Sequence, residues 1–174
     1  VDIRTIDSLI VEIASAYHRP LALPVDSTAW ARSRGDGFPA LASKVAALLR
    51  AAPMIARAVG QRYPVVICDE HQDASADQES VVMSLLGAGV LVRVFGDPLQ
   101  QIFRGRGGAQ AVTNSQRWEA LKAAAGRCEE LTEPHRWANG ASELGQWILA
   151  ARASLRAGGQ VDLRPPLPVG LTIL

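Results

Sequence analysis

Apolar residues recur at helical spacing at the start of the chain. They share one helix face and stop before Pro20, which predicts an amphipathic helix built on Ile6, Leu9, Ile10, Ile13 and Tyr17. Residues 20–60 are interpreted as a loop or the remnant of an insertion, because residues 20–39 hold three prolines and two glycines. Within that segment the apolar pattern predicts a helix over 41–52 and a short one after Pro53.

Two largely apolar segments, each followed by polar residues, predict β-strands. The first covers residues 63–68 and is followed by Asp69 and Glu70; the second covers residues 90–95 and is followed by Gly96 and Asp97. The first segment is an uninterrupted apolar run, which is typical of a strand that is buried on both faces of a parallel sheet. The second segment contains Arg93. The sequence therefore predicts two neighbouring strands in the interior, with polar side chains at their carboxyl ends.

Helices are predicted between and after these strands. Ser75 and Gln78 have the spacing of a capping box, and the helix they begin is expected to end at Gly87. The later elements are a helix over 115–125, a short strand over 128–131, a helix over 139–157 and a proline-rich tail with an edge strand at either end. This alternation predicts an α/β fold, a parallel sheet flanked by helices, in which ligands bind beyond the carboxyl ends of the strands.

Composition narrows the class of protein. The 174 residues are 48% apolar and 20% charged, which fits one globular domain and excludes wholesale disorder. A net charge of +1 argues against a protein that coats polyanions. Two cysteines cannot form a disulfide framework or a four-cysteine zinc site, so a cytoplasmic location is expected. No apolar run reaches the ~18 residues of a membrane helix, and no membrane partner is expected.

The acidic cluster after the first predicted strand is the first candidate for chemistry. Asp69-Glu70-His71-Gln72-Asp73 places three carboxylates and one amide in five residues. One carboxylate could hold Mg²⁺ through oxygen, while the other orients or deprotonates a water molecule. A polar turn with solvated or salt-bridged charges explains the same residues equally well. The cluster alone leaves both interpretations open.

The segment after the second strand extends the pattern. Residues 96–108 read Gly-Asp-Pro-Leu-Gln-Gln-Ile-Phe-Arg-Gly-Arg-Gly-Gly. Together with Asp-Glu-His-Gln-Asp they resemble motifs II and III of the UvrD/Rep-like superfamily-1 helicases, Asp-Glu-x-Gln-Asp and Gly-Asp-x-x-Gln-x-Ile-Tyr-x-x-Arg-Gly. Every position matches except the Tyr, which is Phe103 here. Residues 131–136 resemble motif IV at Leu131 and Arg136, and residues 3–9 resemble the Thr-x-His segment, with Asp7 in the His place.

The resemblance implies a RecA-like P-loop NTPase fold, of which residues 1–157 are an incomplete first motor domain and residues 158–174 a linker and the start of a following segment. It implies ATP and Mg²⁺ as cofactors and single-stranded DNA as a partner. The implied function is an ATP-dependent DNA helicase or translocase, of the kind that acts in DNA repair.

The resemblance also implies roles at the matching positions. Asp69 and Glu70 would bind Mg²⁺, and Glu70 would activate the hydrolytic water. Gln72 and Gln100 would sense the γ-phosphate. The remaining implied residues are Asp73 and Asp97, which would join the motifs at the nucleotide site, Arg136, which would stabilise the transferred phosphoryl group, and Thr5, Phe103 and Arg106, which would contact DNA.

Three departures from the family pattern limit what the chain is expected to do alone. The family's phosphate loop, Gly-x-x-x-x-Gly-Lys-Ser/Thr, does not occur in the sequence. Gly105 stands where the family usually has an aromatic residue, and Asp7 would repel a phosphate. Because the chain begins with Val1, it is expected to be an internal piece of a longer helicase chain. Because it lacks the phosphate loop, it is expected to be inactive by itself. Two alternatives remain: a non-catalytic nucleic-acid- or protein-binding module, or a helicase-like ATPase in a repair or defence complex.

Overall fold

The computed structural model of the protein describes residues 2–100, 114–131, 137 and 140–172. The described elements are, in chain order, α1 (Ile6–Ala16), α2 (Ser27–Arg32), α3 (Gly37–Ala51), α4 (Pro53–Arg62), β1 (Val65–Cys68), α5 (Ala76–Gly87), β2 (Leu91–Val94), α6 (Asn114–Ala124) and α7 (Ser142–Arg156). Short 3-10 turns follow the two strands at His71–Asp73 and Pro98–Gln100. The chain forms two compact units, residues 1–121 and 122–174.

The core of the first unit is a packed helix cluster. Helix α3 packs against α1, α2, α4 and α5, and its stripe is fully buried at Leu41, Val45 and Leu49. These residues recur at the three- and four-residue spacing that places side chains on one helix face. Ile10 from α1 and Leu85 from α5 complete the contact. Burial of each of these Leu, Ile or Val side chains stabilises the unit by about 1.5–3 kcal/mol.

The prediction of a loop over residues 20–39 is wrong in part. Helix α2 lies inside it, with Asp26 as N-cap accepting a hydrogen bond from the Ala29 backbone N–H at 2.8 Å. Gly37, the first residue of α3, lies so close to α2 that a Cβ on it would be 2.0 Å from the Ala31 carbonyl oxygen. The prolines and glycines that suggested an irregular loop instead occur around two helices that are joined by a tight turn.

The two predicted strands pair in parallel, as the sequence indicates. Val65 lies opposite Leu91 and Cys68 opposite Val94, with α5 as the crossover between them. The expectation of burial on both faces is wrong for the described sheet, because the side chains alternate between exposed and half-buried. Val65, Ile67 and Leu91 are 50–65% exposed. The described helices of the first unit cover one face of the sheet. The other face carries the exposed apolar side chains, and no described element of this unit covers it.

Helix α5 begins and ends where its signals predict. Ser75 Oγ accepts the Gln78 backbone N–H at 3.2 Å, and Gln78 Oε1 accepts the Ser75 backbone N–H at 2.8 Å, which confirms the capping box. The helix ends at Gly87, and Gly89 follows with a φ of +92°. This reversal leads directly into β2.

The second unit contains α7 and the segments around it. Gly145 of α7 faces Trp137, whose Cβ would lie 3.0 Å from an added methyl group. The helix ends near Gly158, which has a φ of +74°, and the predicted cap Asn139 lies outside the described residues. The strand predicted at 128–131 and the edge strand at the start of the tail are wrong, because residues 127–131 and 159–172 form no strand. The predicted domain limit after residue 157 differs from the packing division after Leu121 and stays a prediction.

No single helix in the described ranges is long and apolar enough to span a membrane. By length and composition alone, α3 and α4 pass together as a pair that is bent by 105°.

Candidate active site

Backbone hydrogen bonds join the polar turns at the ends of β1 and β2. The Phe95 N–H donates to the Cys68 carbonyl at 2.8 Å, and the His71 N–H donates to the Phe95 carbonyl at 3.1 Å. The chain reverses at Glu70, which has a φ of +50° in the left-handed region that residues with a Cβ rarely adopt. Its N–H is bound by Asp69 Oδ1 at 3.0 Å. The acidic turn is therefore held against the end of the neighbouring strand in a strained conformation.

Gln72 is the bridge between the two motifs. Its side-chain N–H donates to Glu70 Oε2 at 2.6 Å, and its Oε1 accepts the Asp97 backbone N–H at 3.0 Å. Gln72 is only 7% exposed, so both hydrogen bonds are largely shielded from water. Gly96 lies against the same amide, and a Cβ there would come 2.9 Å from Gln72 Oε1. The absence of a side chain at position 96 is what lets the two turns approach each other.

The second turn is organised by the Asp97 carboxylate. Its Oδ1 accepts the Leu99 N–H at 3.1 Å, and its Oδ2 accepts the Gln100 side-chain N–H at 2.7 Å. A continuous chain of hydrogen bonds thus runs from Glu70 through Gln72 and Asp97 to Gln100. Six residues that are candidates for the nucleotide site lie in these two adjoining turns: Asp69, Glu70, Gln72, Asp73, Asp97 and Gln100.

The two exposed carboxylates in the first turn have the chemistry of a Mg²⁺ site. Each has one oxygen in a hydrogen bond, through Asp69 Oδ1 and Glu70 Oε2. Their other oxygens, Oδ2 and Oε1, have no hydrogen-bond partner within the described part of the chain. Mg²⁺ commonly takes one or two protein carboxylates and completes its shell with water and phosphate oxygens. No group of three His, Cys, Asp or Glu residues among the described positions could hold a metal by itself, and this donor set fits Mg²⁺ shared with phosphate.

His71 is a residue of the acidic turn whose burial the sequence does not reveal. It is 4% exposed, and among the described residues its Nε2 has no hydrogen-bond partner. Burial lowers the pKa of the imidazole, with Glu79 opposing and Arg117 reinforcing the shift. His71 is therefore a neutral buried side chain at neutral pH, and it anchors the turn in the interior while its neighbours face solvent.

The remaining proposed site residues lie away from this turn or outside the described residues. Thr5 caps α1 by accepting the Ser8 N–H at 3.2 Å, and Asp7 Oδ1 accepts a hydrogen bond from the Gln78 side chain at 2.8 Å. Both line a cleft of about 360 Å³ with Ser8, Val11, Thr28, Arg32 and Phe38. Phe103, Arg106 and Arg136 lie outside the described residues.

Comparison with known proteins assigns the chain to a family. The UvrD/REP helicase N-terminal domain matches residues 8–119, which is more than half of the chain. The chain belongs to the UvrD/REP helicase family. The matched range includes both turns of the site, while Thr5 and Arg136 lie outside it. No curated protein and no solved structure matches the chain.

The acidic turn of this UvrD/REP-family chain has a fixed position relative to the end of the next strand. A solvated polar turn would need no such fixed position, but here the buried Gln72 side chain lies between the two motifs. The mixed helix and strand structure with a parallel pair is compatible with an α/β fold.

Proposed function

We propose that this chain is part of an ATP-dependent DNA helicase or translocase, in which Mg·ATP hydrolysis drives movement along single-stranded DNA. The main support for this proposal is the Gln72 side chain, which joins the Glu70 carboxylate to the Asp97 backbone N–H across the ends of two strands. Such a link can report the state of a bound triphosphate from one motif to the other. The proposed domain is RecA-like, with the nucleotide beyond the carboxyl edge of the parallel strands.

In this proposal the acidic turn does the chemistry. Asp69 would bind Mg²⁺ and Glu70 would help to hold it through a bound water molecule, and the ion would supply charge neutralisation on the phosphates. Glu70 also orients and deprotonates the attacking water, since its side chain is exposed and its Oε1 carries no hydrogen bond to a described residue. Gln72 fixes the other Glu70 oxygen, so that the free one keeps a defined direction.

The downstream turn and the residues outside the described ranges complete the proposed site. Gln100 is held by Asp97 at the edge of the turn, where it can contact a γ-phosphate. Arg136 supplies positive charge to the transferred phosphoryl group. Thr5, Phe103 and Arg106 are proposed to contact the DNA strand.

The 174-residue chain is proposed to be inactive by itself. The backbone amides and lysine of a phosphate loop hold the β- and γ-phosphates in this class of enzyme, and the sequence contains no such loop. A millimolar concentration of Mg·ATP is accordingly expected to leave the melting temperature of this chain unchanged. A clear Mg·ATP-dependent rise would contradict the proposed need for a loop supplied from elsewhere.

Glu70→Gln in the complete protein tests the hydrolytic role. DNA-stimulated ATP hydrolysis should be abolished while nucleotide binding is retained, because the base acts in the chemical step and adds little to ground-state binding. Glu143→Gln, at an exposed carboxylate in the first turn of α7, is the matched control and should hydrolyse ATP at the parental rate. Parental hydrolysis by Glu70→Gln would show that this carboxylate is not the base.

A non-catalytic binding module is the second candidate, favoured by Asp7. Its carboxylate is committed to Gln78 on α5 and adds negative charge where the helicase pattern has a histidine. A module of this kind would bind single-stranded DNA or a protein with no nucleotide hydrolysis in the complete protein. A Gly-Lys-Thr loop encoded before Val1 would decide for the motor.

A further inference from the structure

We propose that Arg117 on α6 is a positioning residue for the acidic turn, holding the backbone that carries Glu70 and Gln72. The hydrolytic purpose of this turn rests on the function proposed above, but the positioning itself does not. Neither helicase motif includes Arg117, and it comes from a helix that follows both of them in the sequence.

The Arg117 side chain contacts the turn directly. Its Nη2 donates to the Ala74 carbonyl at 2.9 Å, and Nη2 and Nε donate to Glu79 Oε2 at 2.6 and 3.0 Å. The Arg117 and Glu79 side chains are each 15% exposed, so their ion pair is shielded from water and from salt. The guanidinium therefore ties α6 to the first turns of α5 and to the residue that ends the acidic turn.

Ala74 connects the Arg117 contact to the acidic turn through its backbone hydrogen bond. Its N–H donates to the His71 carbonyl at 3.0 Å, and the Asp73 N–H donates to the Glu70 carbonyl at 3.1 Å. These two hydrogen bonds close the 3-10 turn on which Gln72 sits. Because Arg117 holds the carbonyl on the far side of Ala74, it limits how far that peptide can rotate.

The next residue of α6 contacts the other turn. The Trp118 ring edge lies 3.0 Å from where a Cβ would stand on Gly96, beside Gln72 Oε1. Successive residues of one helix thus touch the acidic turn and the glycine before Asp97. We infer that α6 sets the distance between the two motifs, with Arg117 as its polar contact and Trp118 as its apolar one.

A simple Arg117 deletion would confuse positioning with the loss of an ion pair. Removing one partner leaves Glu79 as a half-buried unpaired charge, which is strongly destabilising by itself. The informative variant is Glu79→Gln/Arg117→Met, which removes both charges and retains most of the side-chain volume. Arg50→Met is the matched control, since Arg50 also reaches α5 from another helix, at Ser80, and within the described residues no hydrogen bond joins it to the turn.

Hydrogen exchange on the 174-residue chain measures the positioning. In the double variant the amides of Asp73 and Ala74 should exchange about ten- to a hundredfold faster, the factor expected for losing a charged hydrogen bond to the backbone. Amides in α3 should exchange at the wild-type rate, as should every amide of the turn in Arg50→Met. Arg117→Lys, which keeps the charge but loses the planar fork, should lie between wild type and the double variant.

The outcomes separate this inference from the proposed function. Wild-type exchange at Asp73 and Ala74 in the double variant would overturn the positioning role, as would acceleration spread equally over α3. If Glu70→Gln leaves ATP hydrolysis intact while exchange responds to Arg117, the proposed function fails and the positioning stands. If Glu70→Gln abolishes hydrolysis and exchange does not respond, the positioning alone fails.

Discussion

Gly96→Ala is a one-carbon change at the contact between the two motifs. An added methyl group would lie 2.9 Å from Gln72 Oε1, 3.0 Å from Cη2 of Trp118 and 3.3 Å from the Gln72 backbone nitrogen. Comfortable non-bonded separations are about 3.5–4.0 Å, so several tenths of an ångström must be recovered. The Gln72 backbone cannot yield easily, whereas the Gln72 carboxamide is the end of a flexible side chain and is the group expected to move.

The expected cost follows from that movement. Overpacking a tight site costs about 1–3 kcal/mol, and losing the Gln72–Asp97 hydrogen bond about 0.5–1.5 kcal/mol. The two overlap, because displacing the carboxamide is how the clash is relieved. We therefore expect a total near 1–3 kcal/mol, which lowers the melting temperature of a chain of this size by roughly 3–10 °C.

Thermal unfolding of purified chains checks this value, with Gly87→Ala as the matched control. Gly87 ends α5 with open space around it, so alanine there should be neutral or stabilise by up to about 1 kcal/mol. Exchange of the Asp97 amide should also accelerate in Gly96→Ala and remain unchanged in Gly87→Ala. A Gly96→Ala protein that melts with the wild type and protects the Asp97 amide would refute the close-packed bridge.

Two further predictions concern the acidic turn and the helix that follows it. Ser75→Ala removes the side-chain half of the capping box and should destabilise the chain by about 1 kcal/mol in urea unfolding, whereas Ser75→Thr should stay close to wild type. Burial lowers the pKa of His71, so the folded state disfavours the imidazolium, and this contribution to stability, complete above about pH 6.5, is lost as pH falls below that value. His71→Gln should therefore lose less stability than wild type between pH 7 and pH 5, and equal losses would show that another group titrates.

Local signals in the sequence predicted most of the elements that border the site. The two largely apolar segments, the Ser75 capping box and the stop at Gly87 are short-range features, and each marks an element of the structure, whereas α4 continues past Gly60 to Arg62. Parallel pairing then followed from strand–helix–strand alternation, and with it the meeting of the acidic and glutamine turns at one sheet edge. What the spacing could not show is that Gln72 itself is the bridge between them.

Features that depend on packing between distant segments could not be predicted. Helix α2 forms because Asp26 caps it and Gly37 permits close contact with Ala31, and neither signal outweighs the surrounding prolines. An apolar run also looks the same whether one or both strand faces are covered, so the exposure of Ile67 was hidden. The buried position of His71 depends on α5 and α6, which the residues next to it do not specify.

The left-handed Glu70 shows why the acidic motif cannot act as a sequence alone. That conformation costs roughly 1–2 kcal/mol for a residue with a Cβ, which is comparable to the hydrogen bond that Asp69 provides locally. The local hydrogen bond therefore does no more than offset the strain, and the contacts that fix the turn come from outside the pentapeptide. The Asp97 N–H donates to Gln72, the Phe95 carbonyl accepts the His71 N–H, and Arg117 donates to the Ala74 carbonyl at the end of the turn. Because these contacts come from Phe95 at the end of β2, the turn that follows it and α6, the geometry of the carboxylates exists only once all three have packed. A chain that keeps Asp-Glu-x-Gln-Asp but loses α6 should therefore keep the letters of the motif without its fixed geometry.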